Sequence, residues 1–354
     1  MGIFFGLVVC EIFLRIFDPL PFRVKGDKIM LPVHQEYRFS NTAFSKLDSI
    51  IVHSKNSLGF RGPEKPQNFD DAPTFIAVGG STTECQILSD GHDWVNLLGN
   101  HLKKQLPNTW VNNAGLDGHS TFGHYILLTD YLLDIHPDYI LYLVGCNEVG
   151  RDDLGSFDKK ILRDEYVSFR NWFKKNSELG GFLSNIYRGY LAKKKNLPHR
   201  QVDLEKQDHV SVDSTHLKAQ LHFHQPFLSA FEFRLTELVR TTRKAGIQPV
   251  LITQPTLLGA GYDELSGVNL ETIKLMSEFG GWMYWSILER YNDITRQVAR
   301  NEGILLIDLA YQLPKNSLYY YDALHYTNEG AKEVSMIVFE SLAPFVKRHT
   351  ISNR

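Results

Sequence analysis

Ser81 is a candidate nucleophile because of the residues that precede it. The apolar segment Phe75–Val78 runs directly into Gly79 and Gly80, and Ser81 follows. This pattern predicts a buried parallel strand that ends in a tight turn. A serine in that position lies at the carboxyl end of a strand, where open α/β sheets bind ligands. The alternative interpretation is that Ser81 only caps the next helix.

An aspartate and a histidine near the C-terminus can supply the base that such a serine needs. Asp322 lies three residues before His325, so a single turn can bring the two side chains together. A serine hydroxyl is a weak nucleophile near neutral pH and requires a base within hydrogen-bond reach. Histidine titrates in that range, and a carboxylate on its second nitrogen fixes the tautomer. In isolation, the same two residues are compatible with an ordinary loop.

Two further residues, Gly115 and Asn147, follow other short apolar segments. Gly115 comes after residues 110–112, and Asn147 comes after residues 139–144. Because the carboxyl ends of parallel strands meet at one edge of a sheet, we expect both residues to lie beside Ser81. Glycine allows a close approach to the backbone, and an amide donates hydrogen bonds without titrating.

Taken together, these segments resemble the SGNH (GDSL-type) hydrolase family over about residues 70–340. The four family blocks appear in order as Gly79-Gly80-Ser81, Gly115, Gly145-Cys146-Asn147-Glu148 and Asp322-x-x-His325. Two positions depart from the family pattern, because Gly80 and Glu148 each stand where the family has aspartate. Neither is a residue to which the resemblance assigns chemistry.

The resemblance implies a serine esterase that forms an acyl-enzyme on Ser81, with His325 as the base and Asp322 as its partner. It also implies an oxyanion hole made by the backbone N–H groups of Ser81 and Gly115 and the side-chain amide of Asn147. The expected substrate is a small acyl ester, such as an O-acetyl group on a glycan, with no cofactor and no metal ion. Two alternatives stay open: an O-acyltransferase with the same triad, and a non-catalytic binding module of the same fold.

The pattern from residue 74 to residue 349 predicts one α/β domain. Apolar strands alternate with amphipathic helices, which is typical of a parallel sheet with helices on both faces. By resemblance we expect a flavodoxin-like three-layer α/β/α sandwich whose five-stranded sheet has the order 2-1-3-4-5. Residues 151–225 form a polar, lid-like insertion, and residues 256–282 form a second candidate lid. A helix is predicted from about Pro226 to Lys244.

The first 20 residues predict an apolar helix that associates with a membrane through residues 3–17. The apolar stretch before Glu11 is too short to span a bilayer by itself. Glu11 and Arg15 lie one helical turn apart as a favourable pair. The helix can lie in the membrane interface or end an anchor that begins further upstream, and the alternative is a helix docked on the core. The resemblance favours an extracytoplasmic location, whereas the positive-inside rule, applied to Arg23, Lys25 and Lys28 after the helix, places the domain in the cytoplasm.

Residues 21–73 predict an irregular arm, because they lack helical periodicity and contain several prolines. A short strand is expected around residues 49–52, and His53 and Arg61 are expected in an exposed loop. His222 and His224 alternate in the sequence, and we expect them on a solvated face rather than in a metal site.

Composition excludes several classes of protein. The formal net charge is −2, which does not provide the basic surface of a nucleic-acid-binding protein. The chain has three cysteines, Cys10, Cys85 and Cys146, and none of them forms a CxxC motif. Such a sparse, odd set argues against a disulfide scaffold or a zinc site.

Overall fold

A computed structural model describes most of the chain. The described residues are 2–17, 24–25, 28–149, 177–183, 186–187, 199, 201–211, 213–275 and 280–352. Much of the insertion predicted at residues 151–225 therefore lies outside the described residues. The domain boundaries at residues 74 and 349 stay a prediction.

Among the described residues, the strands form two small antiparallel pairs and one larger parallel sheet. The strands are β1 (Val24–Lys25), β2 (Lys28–Ile29), β3 (Gln35–Ser40), β4 (Ile50–Lys55), β5 (Thr74–Gly79), β6 (Trp110–Asn113), β7 (Tyr139–Leu143), β8 (Gln248–Ile252) and β9 (Leu305–Ile307). The parallel sheet has the order β6-β5-β7-β8-β9, which is 2-1-3-4-5 among its own strands. The predicted fold class and strand order are therefore confirmed.

Helices connect the strands and cover the sheet. The helices are α1 (Gly2–Phe17), α2 (Ser81–Glu84), α3 (Trp94–Gln105), α4 (Thr121–Leu127), α5 (Leu133–Ile135), α6 (Ser214–Lys244), α7 (Gly281–Glu302), α8 (Leu309–Gln312) and α9 (Asn328–Ser352). One π-helical turn, Leu128–Leu132, joins α4 to α5.

The two faces of the sheet carry separate hydrophobic cores. Every residue of β5 is buried, and its side chains alternate between the two faces, as the pleat of a strand requires. Phe75 and Ala77 pack in one core with residues of α3 and α9, whereas Ile76 and Val78 pack in the other core with residues of α6 and α7. This arrangement gives the three predicted layers and explains why the strand reads as a continuous apolar run.

Helix α6 begins earlier than predicted. It starts at Ser214 because the Asp213 side chain accepts hydrogen bonds from the backbone N–H groups of Thr215 and His216. Pro226 lies inside the helix instead of at its start. Residues 214–225 are therefore helical and do not belong to a lid.

The expectation of a solvated face is wrong for one of the two histidines on this helix. His222 is exposed, but His224 is buried and its Nδ1 lies 3.1 Å from the Tyr291 hydroxyl. Burial lowers the pKa of His224.

The arm before the sheet is more ordered than its sequence indicates. The predicted strand is present as β4, and it pairs in antiparallel fashion with β3. All six residues of β3 are exposed, so the strand shows no alternation of buried and exposed side chains. His53 and Arg61, which were expected in an exposed loop, are both buried. Arg61 packs under the turn that follows α2.

Part of the second predicted lid belongs to the core. Leu257, Leu258, Leu270 and Ile273 are buried in the same core as α3 and α9. The backbone N–H of Leu257 donates to the carbonyl of Ala323 at 2.9 Å. This part of residues 256–282 therefore supports the C-terminal loop, and residues 276–279 lie outside the described residues.

Helix α1 projects its apolar side chains into solvent, and none of its described side chains is buried. The Arg15 guanidinium donates to Glu11 at 2.8 Å, as the spacing predicts. The Glu11 carboxylate also accepts from the Ser177 hydroxyl and from the backbone N–H groups of Glu178 and Leu179. In the described part of the chain, no helix is long and apolar enough to cross a membrane.

Candidate active site

The turn between β5 and α2 holds Ser81 at the carboxyl edge of the sheet. β5 ends at Gly79, Gly80 precedes the helix, and Ser81 is the first residue of α2. A side chain at Gly79 would overlap the Thr83 hydroxyl and the Leu143 carbonyl, so the strand can turn sharply here only with glycine. The sequence pattern around Ser81 therefore produces the expected strand, turn and helix.

Ser81, His325 and Asp322 form a hydrogen-bonded triad. The Ser81 Oγ lies 2.8 Å from His325 Nε2, and His325 Nδ1 lies 2.7 Å from Asp322 Oδ2. Ser81 and His325 are separated by 244 positions in the chain, so the fold alone brings them together. The arrangement can remove the hydroxyl proton from the serine and hold the resulting imidazolium against a carboxylate.

The C-terminal loop shapes the Asp322–His325 pair locally. Asp322 Oδ1 accepts hydrogen bonds from the backbone N–H groups of Leu324 and His325, both at 2.8 Å. Burial by itself would raise the pKa of Asp322, but His325 and these N–H groups hold that pKa below its usual value. Asp322 is therefore kept ionised, as a partner of an imidazolium must be.

Asn147 lies directly beside the Ser81 turn. Its Nδ2 donates to the His119 carbonyl at 2.9 Å. A Cβ atom added at Gly80 would lie only 2.2 Å from that same Nδ2. The departure from the family pattern at Gly80 thus has a physical reason, because the Asn147 amide occupies the space that a side chain would need.

The structure gives Gly115 a contact that differs from the expected one. Its backbone N–H donates to Asn113 Oδ1 at 2.9 Å. A side chain at Gly115 would overlap the backbone of Thr83 and Glu84, so this glycine lets the loop after β6 pack against α2. The expected N–H donor is therefore already engaged by Asn113.

Glu148, the second departure, supports a neighbouring helix. Its carboxylate accepts from the backbone N–H of Thr121 at 2.7 Å, at the start of α4. Negative charge at a helix N-terminus is favourable, because that end carries unpaired N–H groups and the positive end of the helix dipole. The longer glutamate side chain thus links the loop that carries Asn147 to α4.

Sequence reasoning missed the burial of three charged side chains that brace α2. The Glu84 carboxylate lies 3.2 Å from Lys55 Nζ and accepts from the backbone N–H of Asp117 at 2.6 Å. The Arg61 guanidinium donates to the carbonyls of Glu84, Cys85 and Leu88 at 2.7–2.9 Å. None of the three belongs to a recognisable motif, so only the tertiary contacts reveal their role.

His199 is a further residue whose place beside the triad the sequence did not indicate. Its ring packs edge-to-face against His325, with ring centroids 4.2 Å apart. A ligand atom from each of His199, Asp322 and His325 lies within 4.8 Å of the others, which is close enough for a shared metal ion. However, Ser81 and Asp322 already engage both ring nitrogens of His325. A metal ion bound to His325 would therefore have to displace one of these two hydrogen bonds.

The cysteines near the site are not cross-linked. Cys85 and Cys146 are buried and carry free thiols. Burial raises the pKa of Cys146 to about 12, so this thiol is not a competing nucleophile near neutral pH.

Comparison with known proteins identifies the family. The profile of the GDSL-like Lipase/Acylhydrolase family matches residues 77–333. Among solved structures, the chain is similar to an α/β hydrolase enzyme from the metagenome of Lake Arreo, Spain, at 17% identity, with 76% of this chain and 94% of that chain covered and a TM-score of 0.44. It is also similar to an acetylxylan esterase from Geobacillus stearothermophilus, at 13% identity, with 76% and 93% covered and a TM-score of 0.42.

No curated protein sequence matches the chain. The profile match covers most of the chain, and it includes the turn that carries Ser81 and the C-terminal loop that carries Asp322 and His325. The chain belongs to the GDSL-like lipase/acylhydrolase family of ester-bond hydrolases.

Proposed function

We propose that the chain is a serine esterase that forms an acyl-enzyme on Ser81. The observation that carries this proposal is the hydrogen-bonded triad of Ser81, His325 and Asp322. His325 Nε2 accepts the hydroxyl proton as Ser81 Oγ attacks the acyl carbon. The imidazolium then donates that proton to the departing alcohol. Water, activated by the same nitrogen, attacks the acyl-enzyme and releases the acid.

We propose that two hydrogen-bond donors beside the turn stabilise the negative charge of the tetrahedral intermediate. These are the backbone N–H of Ser81 and the side-chain amide of Asn147. The role of Asn147 as a donor is supported by its position, because its amide fills the space that a side chain at residue 80 would need. The Gly115 N–H, implied by the family resemblance, would first have to leave Asn113 Oδ1.

The proposed substrate is a small acyl ester, such as an O-acetyl group on a glycan. Tyr321 stacks on the His325 ring with centroids 5.5 Å apart, and Phe44 packs against Tyr321. Of these two rings Tyr321 is buried and Phe44 is half-buried, so Phe44 is the one that can meet the apolar face of a sugar ring. An acceptor sugar hydroxyl in place of water would make the same triad an O-acyltransferase.

Labelling with a fluorophosphonate tests the proposal directly. The full-length protein should take up one label, and peptide mapping should locate it on Ser81. Ser81→Ala should lose both the label and the hydrolysis of p-nitrophenyl acetate while keeping the wild-type circular dichroism spectrum. A protein that hydrolyses no ester and takes no label would favour the binding module. Turnover that depends on an added sugar acceptor would favour the acyltransferase.

We also propose that α1 attaches the protein to a membrane surface. Its exposed apolar side chains, including Phe4, Phe5 and Ile16, support this proposal. Through Glu11 the helix is hydrogen-bonded to the short described segment 177–183. Phe5→Glu with Ile16→Glu should abolish co-sedimentation with lipid vesicles and leave hydrolysis of a soluble ester unchanged. Continued binding to vesicles by this double variant would contradict the proposal.

A further inference from the structure

His199 lies against the triad from outside it. Its Nδ1 lies 3.0 Å from the Tyr321 hydroxyl, and its Nε2 lies 3.8 Å from Asp117 Oδ2. Its ring packs on the His325 ring at a centroid distance of 4.2 Å. The side chain is largely buried, with 16% of its surface exposed. Neither the proposed attack nor the proposed oxyanion contacts use it.

The surroundings of His199 are acidic. The charged and titratable groups that face it are Asp117 from the loop after β6, Tyr321, Asp322 and His325 from the C-terminal loop, and Glu84 from α2. Lys55 on β4 lies 3.2 Å from Glu84 and offsets part of the Glu84 charge. A proton on His199 would thus be attracted by several carboxylates, one of which is the triad aspartate.

These carboxylates change the charge state of His199 at a given pH. Burial alone would lower the pKa of His199, but Asp117, with smaller contributions from Asp322 and Glu84, raises that pKa above its usual value. A histidine with a raised pKa keeps its proton to a higher pH and becomes neutral only above it. The protonation state of His199 therefore depends on these carboxylates as well as on the pH.

We propose that His199 is a positioning residue of the triad that supports the reaction only in its neutral form. The neutral ring packs against His325 and leaves the Asp322 charge available to the imidazolium that forms during attack. A protonated His199 attracts the same carboxylate and repels that imidazolium, since ligand atoms of all three side chains lie within 4.8 Å of one another. The inference rests on the proposed esterase function.

The proposal predicts a steeper acid limb than a single histidine gives. Activity requires both His325 and His199 to be neutral, so log(kcat/KM) should fall with a slope of about two below both transitions. His199→Gln removes one of these protons, keeps a polar group near Tyr321, and should give a slope of about one. Asp117→Asn removes the main group that holds the His199 proton. It should therefore move the acid limb to lower pH.

The experiment compares pH profiles of kcat/KM for the full-length wild type, His199→Gln and Asp117→Asn. At about one pH unit below the wild-type midpoint, His199→Gln should keep about tenfold more of its plateau activity than the wild type keeps. His136→Gln is the matched control, because His136 is exposed and contacts the Ala245 carbonyl at the opposite edge of the sheet. The control should reproduce the wild-type profile.

Two outcomes would overturn the inference. One is a His199→Gln profile with the wild-type slope and midpoint. The other is an equal loss of activity at every pH, which a purely structural role predicts. Failure of the wild type to hydrolyse esters or to accept the fluorophosphonate would instead contradict the proposed function.

A direct titration covers the case in which His199→Gln does not fold. NMR of the His199 Cε1–H signal in the Ser81→Ala protein gives the pH at which this ring loses its proton. That midpoint should coincide with one of the two protonations on the wild-type acid limb. A midpoint outside that limb would overturn the inference.

Discussion

Replacing Gly80 by alanine should damage the proposed oxyanion site without touching the triad. The added Cβ would lie 2.2 Å from Asn147 Nδ2, and ordinary van der Waals contact begins at 3.4 Å, so the amide must move by 1.2 Å. The φ angle of Gly80 is −85°, which other residues also adopt. The effect of alanine therefore comes from the clash with Asn147 rather than from a left-handed backbone.

The expected magnitude follows from the loss of one donor. A displacement of more than 1 Å takes an N–H out of the 2.7–3.2 Å range of normal hydrogen bonds. Removing one oxyanion donor typically lowers kcat by about 10²–10³, or about 3–4 kcal/mol. Because the donor acts mainly on the transition state, kcat should fall about 10²-fold and KM should change little.

Steady-state hydrolysis of p-nitrophenyl acetate by the wild type and four variants provides the assay. Gly80→Ala and Asn147→Ala should each lower kcat, and the double variant should be no slower than Asn147→Ala, because both changes remove the same donor. Gly6→Ala is the matched control, since a Cβ there meets no atom within 4 Å. Full activity of Gly80→Ala, or losses that multiply in the double variant, would refute the reasoning.

Three further predictions concern groups that hold the site in place. Arg61→Met leaves the buried carbonyls that Arg61 serves without donors, and urea denaturation should show a loss of about 3 kcal/mol or more. Glu148→Ala removes the acceptor of the Thr121 N–H, so the free energy of unfolding should fall by about 1–3 kcal/mol in the same measurement. Glu148→Gln keeps an acceptor oxygen and should retain most of that stability. The pKa of Asp322 is lowered in the folded protein, so its charge stabilises the fold. This stabilisation is complete above the usual aspartate pKa of about 3.9 and is lost as the pH falls through the folded-state pKa. Thermal melts of Asp322→Asn should therefore depend less on pH in that acid range than melts of the wild type.

Local sequence determined the framework of this protein. Buried parallel strands require apolar residues on both faces, so β5 and β7 appear as continuous apolar runs that any reading of the chain detects. Glycines at the end of β5 mark the turn that places Ser81 at the carboxyl edge of the sheet. The short spacing of Asp322 and His325 lets one loop join them through its own backbone. Each of these features depends on neighbours in the chain, so the sequence alone indicated them.

Only the tertiary structure determines which residues support the site. The Tyr321 hydroxyl meets His199 across 122 positions, and Arg61 reaches the carbonyls beyond α2 across 23 to 27 positions. In the sequence, Gly80 is only a departure from the family pattern. The position of the Asn147 amide explains why a residue without a side chain stands there. A lone charged or aromatic residue carries no periodicity and no fixed spacing to its future partner. Its role therefore depends on which loops the sheet order brings to the same edge, and that information exists only once the chain has folded.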